Sequence, residues 1–199
     1  GTLRFVIRSI DKYMPWVNNV FLVTDNQRPE WIDTHFVKVI DHTQFIKGNL
    51  LTFNSDVIMT NLGNILELSE KFIVFNVETI VWNMTCPKDF FRNGLPVDSL
   101  IETSTVPKSD GFFHISANGV ALINEKFSKR ALMKKHFNHF FNFKYGIQNL
   151  RTILSLPYGG FVGFYNQHLI LSYSKNDFKR AYSLFPVTFR DTWGHRFRE

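Results

Sequence analysis

Leu3, Ile7, Ile10 and Met14 recur every three to four residues, the spacing of one helical face. They predict a helix that Thr2 caps and Pro15 ends. Arg4 and Arg8, four apart, then share a face of that helix. The apolar run Val20-Phe21-Leu22-Val23-Thr24, closed by Asp25-Asn26, predicts a buried strand followed by a polar loop. Val37-Lys38-Val39-Ile40-Asp41 repeats this pattern after a short helix expected around Trp31. Thr52 to Ile65 has a helical pattern, with Asn54 and Ser55 near its start. Phe72-Ile73-Val74-Phe75 is the most strand-like run and leads into Asn76-Val77-Glu78. From Cys86 to Asp110, prolines and small polar residues predict irregular or strand-turn connections. Residues 126–156 are expected to be mainly helical, interrupted around Asn142-Phe143-Lys144-Tyr145-Gly146 and followed by a turn at Pro157-Tyr158-Gly159-Gly160.

Alternation of helices with short apolar strands is the signature of an α/β domain with a largely parallel sheet. The strands Val20–Thr24, Val37–Ile40 and Phe72–Phe75 are expected in one central sheet. Ligands of such sheets sit beyond the carboxyl ends of the strands. Those ends carry Asp25, Asp41-His42 and Asn76-Val77-Glu78. Of these, Asn76 and Glu78 offer oxygen ligands suited to a hard cation such as Mg²⁺, which takes one or two carboxylates plus substrate phosphates. Asn76 and Glu78 are therefore expected to face an open cleft shared with Asp25.

Composition narrows the classes. With 199 residues, 44% hydrophobic and 20% charged, the chain can bury a core of domain size. No apolar run approaches the ~20 residues that span a bilayer, and no charged-then-apolar leader is evident. One cysteine, Cys86, excludes an internal disulfide framework and a Cys-rich zinc site, and suits a reducing compartment. The formal charge of +6 is uneven: seven bases and no acid lie between Lys126 and Arg151. A basic face of this kind suits nucleic acid, anionic lipid or a phosphorylated small molecule. The absence of an RNP aromatic pattern, KH loop or zinc finger argues against nucleic acid. Walker, G-x-G-x-x-G, G-x-S-x-G and H-E-x-x-H motifs are also missing. His168, between aromatic runs, is a candidate general base or phosphate ligand.

Taken in order, several segments resemble one family. They begin with Leu3-Arg4-Phe5, Arg8-Ser9-Ile10 and Pro15-Trp16-Val17, then Val23-Thr24-Asp25-Asn26-Gln27 with Pro29 and Trp31. Val39-Ile40-Asp41-His42 and Thr52-Phe53-Asn54-Ser55 follow. Later come Phe141-Asn142-Phe143-Lys144-Tyr145-Gly146, Gly163-Phe164-Tyr165, His168, Lys175, and Thr192 with His195-Arg196-Phe197-Arg198. The pattern resembles the Stealth family of sugar-phosphate transferases, bacterial capsule and exopolysaccharide enzymes related to N-acetylglucosamine-1-phosphotransferase. Where the family carries N-D-D, this chain reads Asn76, Val77 and Glu78, and two family prolines are Ile170 and Ser172. The family's first strand block and its final D-V-N-Q block are absent.

The resemblance implies one α/β domain over residues 1–199, with a central, mainly parallel Rossmann-like or GT-A-like sheet flanked by helices, and a basic helical C-terminal half. It implies transfer of a hexose 1-phosphate from a nucleotide sugar, typically UDP-linked, to a glycan hydroxyl, with Mg²⁺ or Mn²⁺ held at Asn76 and Glu78. Catalysis would fall to His168 as base with Arg198 and Lys175, and substrate binding to Arg4, Arg8, Asp25, Asn54, Ser55 and His195. His168 and Arg198 are expected near Arg4, Arg8 and Asn54 around one phosphate-sized space. The partners implied are a nucleotide sugar and an acceptor glycan at the inner face of the membrane, in the cytoplasm. Two competing readings are a GT-A-type glycosyltransferase, which would release the nucleoside diphosphate, and a non-catalytic glycan- or nucleotide-binding relative.

Overall fold

A computed structural model describes residues 1–106, 111–165 and 169–197. In chain order its first elements are α1 (Leu3–Tyr13), β1 (Val20–Thr24), β2 (Val37–Asp41), α2 (Ser55–Asn61) and β3 (Lys71–Val74). There follow α3 (Pro87–Phe90), β4 (Phe91–Arg92), β5 (Leu95–Pro96), α4 (Gly111–Lys126), α5 (Lys129–Lys135) and α6 (Phe137–Phe140). The last are α7 (Asn149–Ser155), β6 (Leu171–Ser174), α8 (Lys175–Leu184) and α9 (Pro186–Gly194). The chain divides into two compact units, residues 1–97 with 169–198, and residues 98–168.

In the first unit, the apolar stripe of α1 turns Val6, Ile10 and Met14 into a core closed by Val81. The helix ends as Pro15 predicts, but Thr2 is itself helical and makes no side-chain cap. Ser9 fixes the far side of this core: its hydroxyl donates to the Val6 carbonyl (2.7 Å) and accepts from the Val81 amide (3.2 Å). A second core gathers Phe45, Leu62, Ile65 and Phe72. β1 and β2 pair in parallel, Val20 opposite Val37 through Thr24 opposite Asp41. The segment around Trp31 is a series of turns rather than a helix.

β3 departs from expectation. It does not join β1 and β2 but pairs antiparallel with β6, Lys71 opposite Ser174 and Val74 opposite Leu171. The small parallel sheet is therefore present, whereas one sheet holding all three apolar runs is not. The reason is partner choice, which alternation cannot encode. Phe72 finds Tyr173 and Phe178, with ring centroids 5.9 and 5.6 Å away, and closes its core against the C-terminal segment. Between Cys86 and Val97 the predicted strand-turn connection is α3 and a short hairpin, β4 against β5.

The second unit is mainly helical, and its 126–156 stretch breaks at Phe143–Gln148, a distorted 3₁₀ segment. Its core is Met133, Phe140 and Phe161, with Phe141 and Phe164 packed alongside. The basic run is not wholly solvated. Lys129 is 2% exposed, and its ammonium donates to Glu102 Oε1 (2.9 Å) and to the Ser155 carbonyl (2.6 Å). Glu102 is itself fully buried, and it accepts from Ser155 Oγ (2.7 Å) and the Val162 amide (3.1 Å). Each buried charge is thus paired and its remaining polar atoms are bonded, which is the condition for burying charge at tolerable cost.

Candidate functional site

Two loops after the strands come together first. The Asp41 carboxylate accepts from the Asn26 amide (2.6 Å) and from the Thr43 amide and hydroxyl (2.9 and 2.5 Å). These bonds, led by the Thr43 hydroxyl, hold Asp41 below the ordinary aspartate range and lock the β1 and β2 exits to each other. Asp25 lies exposed in that bend. Beside Asp41, His42 is 7% exposed, and its Nδ1 has no hydrogen-bond partner.

The most extensive junction joins residues 48–54 to residues 193–197. Asn54 Oδ1 accepts from the Asp56 amide (3.0 Å) and so caps α2. Its Nδ2 donates to the Phe197 carbonyl (3.3 Å), from 143 residues away in sequence. The Phe53 amide donates to the Arg196 carbonyl (2.8 Å), and Arg196 Nε donates back to the Leu51 carbonyl (3.0 Å). Phe53 and Phe197 stack at 5.5 Å and 7°, with the Arg196 guanidinium 5.3 Å from the Phe53 ring. Gly48 makes the approach possible: at φ +145°, an added Cβ would lie 2.6 Å from the Trp193 carbonyl oxygen. Ser55 is the first residue of α2, and His195, within residues 193–197, lies 3.7 Å from Asp191. Asn54 and Ser55 thus start α2, and His195 belongs to the segment of residues 193–197 that lies along residues 48–54.

The other expected residues sit on separate elements. Arg4 and Arg8 are exposed on α1, with the Arg4 guanidinium 4.9 Å above the Trp31 ring. Asn76, Val77 and Glu78 form an exposed turn directly after β3, closed by the Thr79 amide on the Asn76 carbonyl (3.0 Å). Asn76 lines the large cavity of this unit, which includes neither Asp25 nor Glu78 among its lining residues. Among the described residues, no group of three His, Cys, Asp or Glu is placed to hold a metal ion. The pair Asn76 and Glu78 still has suitable chemistry for a hard cation that takes its other ligands from phosphate and water. The Lys175 ammonium is engaged with backbone, donating to the carbonyls of Ile65 (2.7 Å) and Leu66 (3.3 Å). It borders a pocket of about 250 Å³ shared with Lys47, Lys179, Tyr182 and Trp193. His168 and Arg198 lie outside the described residues.

Sequence reasoning gave no role to Gly48, Arg196 or the ring pair Phe53 and Phe197. A Gly between polar residues carries no local signal, and the motif Phe53-Asn54-Ser55 does not tell which distant segment packs on it. Likewise Asn142 and Tyr145, quoted only as motif residues, act as struts. Asn142 Oδ1 accepts from the Lys144 amide (3.0 Å), and the Tyr145 hydroxyl donates to the His139 carbonyl (3.0 Å).

These features define a protein with a mixed α/β unit holding a small parallel sheet, a polar exit region at the ends of that sheet's strands, and a strap of residues 193–197 laid along the start of α2. Residues 1–97 match Stealth protein CR2, conserved region 2. The chain is 36% identical to a capsular polysaccharide phosphotransferase of Streptococcus pneumoniae, over 98% of this chain and 61% of that protein. It is 39% identical to an exopolysaccharide phosphotransferase of Lactiplantibacillus plantarum, over 100% of this chain and 60% of that protein. A capsular polysaccharide phosphotransferase of Streptococcus thermophilus is 36% identical, over 83% of this chain and 71% of that protein. The chain belongs to the Stealth family. It spans about 60% of the length of the first two relatives.

Proposed function

We propose that this chain is part of a sugar-phosphate transferase of capsule or exopolysaccharide synthesis. In this reading a glycan hydroxyl attacks the sugar-bearing phosphorus of a nucleotide sugar such as a UDP-hexose. The new oxygen–phosphorus bond forms as the bond to the bridging oxygen of the nucleotide breaks. The phosphodiester product keeps the hexose 1-phosphate, UMP leaves, and the hydroxyl proton passes to a base. The observation that supports the reading best is the junction of two segments of the family pattern, in which Asn54 bonds the Phe197 carbonyl and Arg196 bonds Leu51 and Phe53. The relatives' names, all polysaccharide phosphotransferases, support the same chemistry.

His168 is assigned the role of base, since an unperturbed imidazole titrates near neutrality. Arg4, Arg8 and Arg198 supply guanidinium groups for phosphate oxygens, where planar forks bind bidentately. Lys175 is assigned a positioning role, because its ammonium is committed to the Ile65 and Leu66 carbonyls. Asn76 and Glu78 would hold Mg²⁺ or Mn²⁺, which neutralises charge on phosphate oxygens when bound. Asp25, exposed after β1, is assigned to donor binding in this reading.

The acceptor is a glycan, and contact with a membrane that carries it is part of the proposal. Phe143, Ile147 and Leu154 are exposed beside Lys144 and Arg151, an apolar and basic combination that suits an anionic bilayer surface. No described helix is long and apolar enough to cross a membrane. The full-length protein incubated with UDP-sugar, Mg²⁺ and acceptor glycan is expected to release UMP. Release of UDP would assign a glycosyltransferase, and binding without either product would assign a non-catalytic relative.

A further inference from the structure

The pocket of about 250 Å³ in the unit of residues 1–97 and 169–198 shares no lining residue with the large apolar cavity of that unit. Its lining includes Lys47, Lys175 and Lys179 and no acidic residue. Lys175 and Lys179 stand four apart on α8, where like charges are neighbours and repel. Lys47 comes from the loop before α2, held by its amide, which donates to Asn61 Oδ1 (2.9 Å). The Ile65 and Leu66 carbonyls take two of the three ammonium protons of Lys175 and leave one. Among the described residues, the exposed ammonium groups of Lys47 and Lys179 form no ion pair or hydrogen bond.

Much of the remaining wall is aromatic. Tyr182 and Trp193 stack at 5.5 Å and 6°, and Phe189 meets both rings edge-on at 5.7 and 6.0 Å. Trp193 Nε1 donates to Thr60 Oγ1 (2.9 Å), so the indole has only ring carbon left to offer a ligand. Cations without a counter-charge beside rigid aromatic carbon match a ligand that is anionic at one end and presents C–H surface at the other. The volume lies below the ~300–1,000 Å³ usual for drug-sized ligands, which fits one sugar ring with its phosphate better than a whole nucleotide sugar. We propose that this pocket binds a phosphorylated hexose unit, the phosphate on the three lysines and the C–H face of the ring on the aromatic wall. Such units exist as free sugar phosphates and as phosphodiester-linked repeats of a polymer, and both carry the same chemistry. The proposal deepens the reading above, since a sugar-phosphate transferase makes these units. The lining contains none of the residues assigned there to the donor, the cation or the base. Failure of that reading would appear as absent UMP release, whereas this proposal is read from binding alone.

Lysine acylation of the full-length protein, followed residue by residue by mass spectrometry, tests it. Hexose 1-phosphate is expected to protect Lys47 and Lys179 at concentrations where free hexose and inorganic phosphate do not. In calorimetry, the double variant Lys47→Gln, Lys179→Gln should bind hexose 1-phosphate about tenfold more weakly or worse, the loss of charge-assisted bonds. The methyl phosphodiester of the same hexose separates the two sources. If it binds at least as well as the monoester, the pocket holds polymer; weaker binding assigns it to the free sugar phosphate. Unchanged acylation of both lysines with hexose 1-phosphate present would overturn the proposal, as would unchanged affinity in the double variant. Inorganic phosphate binding as tightly as hexose 1-phosphate would leave an anion site without a sugar and reject it too. Stronger protection of the two lysines by UDP-hexose than by hexose 1-phosphate would make the pocket part of the donor site, which equally refutes the assignment.

Discussion

Gly48 is where a single atom decides the junction between the α2 entry and the C-terminal strap. Adding a methyl group there meets the Trp193 carbonyl oxygen at 2.6 Å, at a φ of +145° that L side chains rarely adopt. Gly48→Ala is expected to destabilise the protein by about 1–3 kcal/mol, the cost of a residue held in a sparsely populated backbone region. A thermal melt reads the loss, and an unchanged Tm would show that the strap does not depend on the close approach. Asp41 gives the pH-dependent case. Its folded pKa is lowered, first by the Thr43 hydroxyl and then by backbone amides, so its contribution is complete above the unfolded pKa and is lost as pH falls through the folded one. Below about pH 4, the ordinary carboxylate range, the Asn26 and Thr43 amides should lose exchange protection. Asp41→Asn should show the same exposure at neutral pH. Glu78→Ala tests the cation reading: metal-dependent turnover of the full-length protein should disappear, and retained turnover with the same Mg²⁺ dependence would remove Glu78 from the site.

At the scale of elements, the second unit is held by more than its phenylalanines. Glu102, adjacent to its buried neighbour Ile101, ties α5 through Lys129 and α7 through Ser155 into one network. Lys129→Met leaves the Glu102 carboxylate buried without its cation and should cost about 3–5 kcal/mol. The double variant Lys129→Met, Glu102→Gln should cost less than that single change, because no uncompensated charge remains. Denaturant unfolding of the wild type, Lys129→Met, Glu102→Gln and the double variant forms a double-mutant cycle. Equal losses in the single and double variants would show that the pair acts only through volume. This network was illegible in the sequence, where Lys129 is one of seven bases in a run that reads as a solvated face. The helix break near Asn142 was legible, because a Gly and an Asn cap interrupt the pattern locally.

For the whole molecule, the proposed transfer predicts a division between binding and chemistry. His168→Ala in the full-length protein should lower kcat by about 10²–10⁴, the range for loss of a general base, while UDP-sugar affinity stays nearly constant. A proportional loss of affinity would give His168 a binding role instead. By itself the sequence determined the family, the helix α1, the apolar strands β1, β2 and β3, and the parallel pairing of the first two. These follow from local spacing of apolar residues and from ordered motifs, which a single chain displays without being folded. The roles expected of Asn54, Ser55 and His195 rest on resemblance alone. Tertiary structure alone decided that β3 pairs with β6, that Lys129 turns inward, and that the strap of residues 193–197 lies on residues 48–54. Each of these depends on contacts between residues far apart in the chain. The hydrophobic effect that drives them is non-directional, so pattern tells which residues are buried and only packing tells against what.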